Sequence, residues 1–176
     1  WVMAPLLVAA IFAPVRRLLD PTEQPFLVFM RGHTQTCKTT RVKLAQSFYG
    51  DFWDEQSIPN YKSTPIAIET LCRLVGDAFI AIDDLDLEKL DESNRTHARR
   101  HLQGAHGGGR DRMGKDGSIK SGGIEHALKT VTCEMLPTGD QALLGRSLII
   151  DVPRIEVFES DGSETSWTEN HNTTRD

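Results

Sequence analysis

Apolar and polar positions along the chain follow two rhythms, short continuous runs and stripes at helical spacing. Residues 2–19 predict a helix with Pro5 in its first turns and the basic pair Arg16–Arg17 near its end. A turn cluster, "DPTEQP", follows, and then "FLVFM" at 26–30, a continuous apolar run expected of a parallel strand buried on both faces. Residues 38–50 place Val42, Leu44, Ala45 and Phe48 on one helical stripe, with Gly50 as a stop signal. Thr64–Pro65 opens a further helix with Ile66, Ile68, Leu71, Leu74 and Val75 at its apolar positions. "AFIAIDD" at 78–84 predicts a second buried strand, closed by two aspartates. A helix over 94–103, a glycine-rich loop or hairpin over 104–123, and strands at 128–136 and 146–152 around a short helix at 139–145 complete the pattern. Strands alternating with helices predict an α/β layered fold with a mostly parallel sheet.

Composition narrows this picture. The 176 residues, 39% apolar and 26% charged, suit one soluble globular domain with a sizeable core. A net charge of −5 argues against a surface that coats nucleic acid as a whole. Charge is unevenly placed, however. Residues 95–120 carry Arg95, Arg99, Arg100, Arg110, Arg112, Lys115 and Lys120 against Asp111 and Asp116, whereas 156–176 is acidic and polar. The expected division is a domain over 1–155 and a disordered acidic tail over 156–176. Cys37, Cys72 and Cys133 are odd in number and widely spaced, which suggests neither a disulfide framework nor a cysteine zinc site, and fits a reducing cytoplasm. The opening apolar stretch is too short to span a bilayer and lacks a basic flank before it, so no membrane partner is expected. The chain starts at Trp1, which reads as a piece of something longer.

The chemistry concentrates where strands end. "RGHTQTCKTT" at 31–40 lies between a predicted buried strand and a predicted helix. It has the outline G-x-x-x-x-G-K-[ST], in which backbone N–H groups at a helix N-terminus cradle phosphates. The candidate nucleotide-binding residues are Gly32, His33, Thr34, Gln35, Thr36, Cys37, Lys38, Thr39 and Thr40. Lys38 supplies charge for the phosphates and Thr39 a hydroxyl for Mg²⁺. Cys37 stands where the pattern has glycine, and costs a kcal/mol or two (~1–2) if the position needs φ > 0. Asp83 and Asp84 offer one acid for the metal and one to polarise a water. In isolation, "IDD" is equally a turn or cap after a strand. Thr132 is a candidate for the γ-phosphate, or an ordinary β-branched strand residue. Arg146 is a candidate phosphate sensor or arginine finger, or a surface ion-pair partner. His97, His101 and His106 have metal-ligand spacing in part, but without an accompanying glutamate motif or cysteine pair a surface or loop role is expected of them.

Five stretches carry a resemblance: "PFLVFMRGHTQTCKTTRVKLAQSFYG", "STPIAIETL", "DAFIAIDDL", "GAHGGGRDRMGKDGSIK" and "LLGRSLIIDVP". In consistent order over roughly residues 1–153, they resemble the P-loop ATPase domain of phage- and mobile-element-encoded replication proteins. These primase/helicase-like ATPases are related to AAA+ and superfamily 3 helicases. The family's loop has glycine where this chain has Gln35 and Cys37, and asparagine where it has Ile66. The resemblance implies a P-loop NTPase of ASCE type, a three-layer α/β/α fold whose two signature strands are separated by a third. It implies Mg²⁺ and ATP as cofactors, DNA, single- or double-stranded, as partner, and a homo-oligomeric ring or a replication complex. Arg110, Arg112 and Lys115, in a hairpin reaching towards DNA, are the expected phosphate contacts.

The function expected from these residues is ATP binding and hydrolysis coupled to DNA replication or unwinding. Lys38, Asp84, Thr132 and Arg146 are the catalytic candidates, and Thr39 and Asp83 the metal ligands. Two other functions compete with it: a nucleotide-binding or scaffold subunit without turnover, and a P-loop small-molecule kinase.

Overall fold

The computed structural model describes residues 2–19, 26–51, 58–104, 112–113, 118–120, 125–154, 156–158 and 164–166. Helix α1 (Met3–Leu19) leads to β1 (Leu27–Arg31), the phosphate-type loop and α2 (Lys38–Gln46). A 3₁₀ turn (Ser47–Tyr49), α3 (Pro65–Leu74), β2 (Phe79–Leu85) and α4 (Glu92–Gly104) follow. Two short strands, β3 (Arg112–Met113) and β4 (Ile119–Lys120), pair antiparallel within the expected hairpin. The chain then forms β5 (Leu128–Cys133), α5 (Gln141–Leu144) and β6 (Ser147–Asp151). Within the expected tail, β7 (Glu156–Phe158) pairs antiparallel with β8 (Glu164–Ser166).

The central sheet has four parallel strands in the order β2–β5–β1–β6. The loop-bearing strand β1 and the aspartate-bearing strand β2 are therefore separated by β5, as expected of the ASCE arrangement. Alternation along the strands divides the core into two faces. Val28, Met30, Ala81 and Leu128 pack with Leu6, Ala10 and Ala13 of α1 and Val42 and Ala45 of α2. Leu27, Phe29, Ile80, Ile82 and Val131 pack on the other face with Ile68 and Cys72 of α3 and Ala98 and Leu102 of α4. The result is the three-layer α/β/α fold.

The helix expected over 38–50 ends at Gln46, and the residues that end it do structural work. The Gln46 side chain accepts a hydrogen bond from the Ala81 N–H (2.8 Å), while the Asp83 N–H is taken by the Pro59 carbonyl (2.8 Å). Both bonds satisfy N–H groups on the outer edge of β2, which a parallel sheet would otherwise leave unpaired. The Tyr49 hydroxyl donates to the Ala10 carbonyl of α1, and Gly50 takes φ 148°, a value reserved for glycine. Among the described residues no helix is long and apolar enough to cross a membrane.

Candidate functional site

Four parallel strands ending on one side leave a crevice at their C-terminal ends, the usual place for ligands in open α/β sheets. Here it is a cleft of about 540 Å³ between the loop after β1, the ends of β2 and β5, and Asn60. Gly32 opens the loop because the chain leaving β6 passes against it. A Cβ there would stand 2.8 Å from the Val152 carbonyl oxygen and 3.0 Å from the Thr36 hydroxyl. The Gly32 N–H donates to the Cys133 carbonyl (3.1 Å), and Arg31 pairs through two nitrogens with Asp151 (2.6 and 2.8 Å), tying β1 to both neighbours at its mouth. The Arg31 hydrogen bond holds the Asp151 carboxyl below its ordinary range, and burial pushes the Cys133 thiol up to about 12.

Gln35 (φ 64°) and Cys37 (φ 56°, ψ 32°) both occupy the left-handed region. These are the two positions at which the related loops carry glycine, so the chain adopts the glycine conformation without the glycines. Internal bonds offset the strain. Thr36 donates to the His33 carbonyl (2.8 Å), and the Lys38 ammonium donates to the carbonyls of Gly32 (2.6 Å) and His33 (2.7 Å). Lys38 thus lies over the concave side of the loop, at the N-terminus of α2. Thr34 and Thr40 line the cleft with exposed side chains.

Across the cleft, the Thr39 hydroxyl donates to both oxygens of Asp83 (3.1 and 3.0 Å), and the Thr132 hydroxyl donates to Asp83 Oδ1. Thr132 also accepts from the Asp84 N–H (3.0 Å). Its hydroxyl is inserted where the ladder between β2 and β5 shifts register, after Ile82. The irregularity turns Asp84 into the left-handed region (φ 56°) and aims its side chain out of the sheet, as a bulge does. The Asp84 carboxylate pairs with Lys62 at 3.2 Å. The loop's Thr34 donates to Glu134, the residue after β5. Thr39, Asp83 and neighbouring carboxylates form a hard oxygen donor set, which suits Mg²⁺ rather than a softer metal.

The structure therefore gathers Gly32 to Thr40, Asp83, Asp84 and Thr132 in one place. It sets Arg146 elsewhere. Arg146 precedes β6, whose Ser147 pairs with Leu27 at the start of β1, four residues before the strand ends at Arg31. At about 3.3 Å per residue the strand alone separates Arg146 from the loop by ~13 Å, so it faces the opposite end of the sheet and does not reach a phosphate of its own chain. Arg112 lies in β3, and Arg110 and Lys115 fall outside the described residues. Lys62, Asn60 and Glu134 were not singled out in the sequence. The signal available was their position, polar residues beside or just beyond a strand that ends at the cleft.

The surface role expected of the histidines fails at His101, which is buried on α4. Its ring nitrogens approach the Tyr61 hydroxyl (3.3 Å), Cys72 Sγ (3.8 Å) and Glu125 Oε2 (3.8 Å). Cys72, His101 and Glu125 offer ligand atoms within 4.8 Å of one another, yet the Lys129 ammonium already sits 2.5 Å from Glu125. The cation of this cluster is a lysine of β5.

Residues 2–123 match the family described as "Domain of unknown function (DUF927)". The chain belongs to that family. No curated protein matches this DUF927 chain. Among solved structures it is similar to "SCCmec type IV Cch - active helicase", with a TM-score of 0.60 and 17% identity over 99% of this chain. It spans 30% of that helicase's length. A structure of C. elegans PCH-2 is similar at 14% identity and a TM-score of 0.44, over 87% of this chain and 42% of that one. At these identities the helicase likeness bears on the fold, which it shares with the DUF927 chain.

Proposed function

We propose that the chain binds ATP with Mg²⁺ and hydrolyses it, as the motor domain of a helicase-like protein serving DNA replication or unwinding of a phage or mobile element. The observation that carries this proposal is the convergence of the Thr39 and Thr132 hydroxyls on Asp83, beside a loop whose lysine lies over its concave side.

Phosphate oxygens would replace the carbonyls now held by Lys38, and the loop N–H groups at the start of α2 would complete the cradle. Thr39 and Asp83 would hold Mg²⁺, which when bound neutralises charge on the β- and γ-phosphates. Asp84, turned outward by the irregularity in β2, would orient the attacking water once Lys62 releases it. Thr132 fixes both aspartates. Arg146 would act on a neighbouring copy's nucleotide in an oligomer or ring, and Arg110, Arg112 and Lys115 on the DNA backbone. The free thiols of the core, Cys72 and Cys133, accord with a cytoplasmic protein.

Calorimetric titration of Mg-ATP into the chain and its Lys38→Ala variant tests the proposal. Micromolar binding lost in the variant is the expected result, and no binding to either overturns it. Stimulation of turnover by single-stranded DNA separates a helicase-like motor from a kinase or a silent subunit. Gln35 and Cys37 favour one second reading, a nucleotide-binding or scaffold subunit without turnover, because they put side chains where a glycine would let the backbone come close to phosphate.

A further inference from the structure

We propose that Glu134 is a latch on the phosphate loop, which competes with the terminal phosphate for the loop tip and so lowers the preference for nucleoside triphosphate over diphosphate. This rests on the nucleotide-binding reading above.

The end of β5 grips the loop twice. The Cys133 carbonyl takes the N–H of Gly32, the loop's first residue, and the next residue, Glu134, takes the hydroxyl of Thr34 at its tip. Both side chains of the second contact are exposed and line the same cleft as Lys38 and Asp83. Two residues earlier on the same strand, the Thr132 hydroxyl is engaged by Asp83 and Asp84. The group beyond the end of β5 that meets the loop tip is therefore the carboxylate of Glu134.

A carboxylate and a phosphate oxygen are both anionic acceptors, and the single Thr34 hydroxyl has one proton to donate. A phosphate that takes this donor must displace Glu134, and like charge then sits beside like charge. Thr34 lies four residues before Lys38 and is bonded towards β5, the strand between β1 and the aspartate-bearing β2, in the cleft that Asp83 and Asp84 also line. The repulsion therefore falls chiefly on the third phosphate, which the diphosphate lacks.

The test is titration of Mg-ATP and Mg-ADP into the wild-type chain, Lys38→Ala, Glu134→Gln and Glu134→Ala, with a melting curve for each. Glu134 is exposed, so both Glu134 variants are expected to melt like wild type. Removing one unit of charge at cleft distances should tighten Mg-ATP by about three- to tenfold in both Glu134 variants. Mg-ADP should tighten by clearly less, with the alanine effect at least as large as that of glutamine. An unchanged ratio of ATP to ADP affinity, or weaker ATP binding, overturns the latch while binding lost only in Lys38→Ala leaves the nucleotide reading standing. No binding by any chain overturns both. Binding by the Glu134 variants but not by wild type supports the latch in its strongest form.

Discussion

Two clusters of similar side chains lie on either side of Cys133. The one at the cleft combines Thr39, Asp83, Asp84, Thr132, Lys62 and Glu134, and the one beneath α3 and α4 combines Tyr61, Cys72, His101, Glu125 and Lys129. Both contain a carboxylate, a lysine and a hydroxyl within hydrogen-bond reach of a neighbour. They differ in access and in closure. Lys129 is 1% exposed and its partner Glu125 8%, whereas the side chains of Lys62 and Asp84 are 67% and 58% exposed. The cleft partners can be exchanged for a ligand's oxygens, and two of its elements, the loop and Asp84, are held in left-handed backbone. The inner cluster has no residue in left-handed backbone, and its charges are matched internally. Proximity of reactive groups is common to both, and what distinguishes the candidate site is solvent access combined with strained backbone.

The largest effect that would break this contrast is at Lys129. Lys129→Met leaves the Glu125 carboxylate in the core without its cation, which costs on the order of 3–5 kcal/mol. Thermal unfolding should shift down by roughly 10 °C or more. The double variant Lys129→Met/Glu125→Leu should recover most of that loss, because no charge is left buried. A single-variant loss under ~1 kcal/mol would mean that the pair is solvated and the cluster is not closed.

A pH series sharpens the same contrast at His101. Burial above all, then Lys129 and His97, lowers its folded-state pKa well below the ordinary value of 6.5. The groups facing it are Tyr61, Cys72, Glu125, Lys129 and His97. The unfolded chain then binds the proton that the native chain refuses, so this contribution is complete above the unfolded pKa and is lost as pH falls through it. The slope is at most about 1.4 kcal/mol per pH unit. Urea midpoints between pH 7.5 and 5.5 should fall more steeply for wild type than for His101→Leu, and parallel lines for the two would refute the assignment.

The strands β1 and β2 were legible because a parallel strand covered on both faces reads as an unbroken apolar run. The loop and the aspartate pair followed from what borders them. The inner cluster was hidden because it joins two helices, a strand and two loops through tertiary contacts alone, and Lys129 looks in sequence like a solvent-facing break in a strand. Gln46, Tyr49 and Gly50 close one of the stretches that carry the resemblance, but their purpose, sealing the edge of β2 and docking α1, depends on chain neighbours remote in sequence. For Arg146 the register excludes a role on its own chain's nucleotide, for a reason open to sequence logic. A residue that precedes a parallel strand lies at the opposite end of the sheet from a loop that follows one.

The smallest effect concerns the loop itself. Left-handed backbone costs a non-glycine residue about 1–2 kcal/mol, and a new glycine returns roughly 0.4–1 kcal/mol to the unfolded chain as entropy. Cys37→Gly and Gln35→Gly should therefore each raise stability by about 0.5–1 kcal/mol, read as urea midpoints at constant slope. Nucleotide affinity should change by less than about threefold, ~0.7 kcal/mol, because Cys37 already holds the conformation that glycine would permit. A gain near tenfold would show instead that the cysteine loop rests elsewhere and is driven into this shape only by ligand. In that case the contrast between the two clusters would lie less in strain than in access, since the loop would then carry its strain only when a phosphate is there to stabilise it.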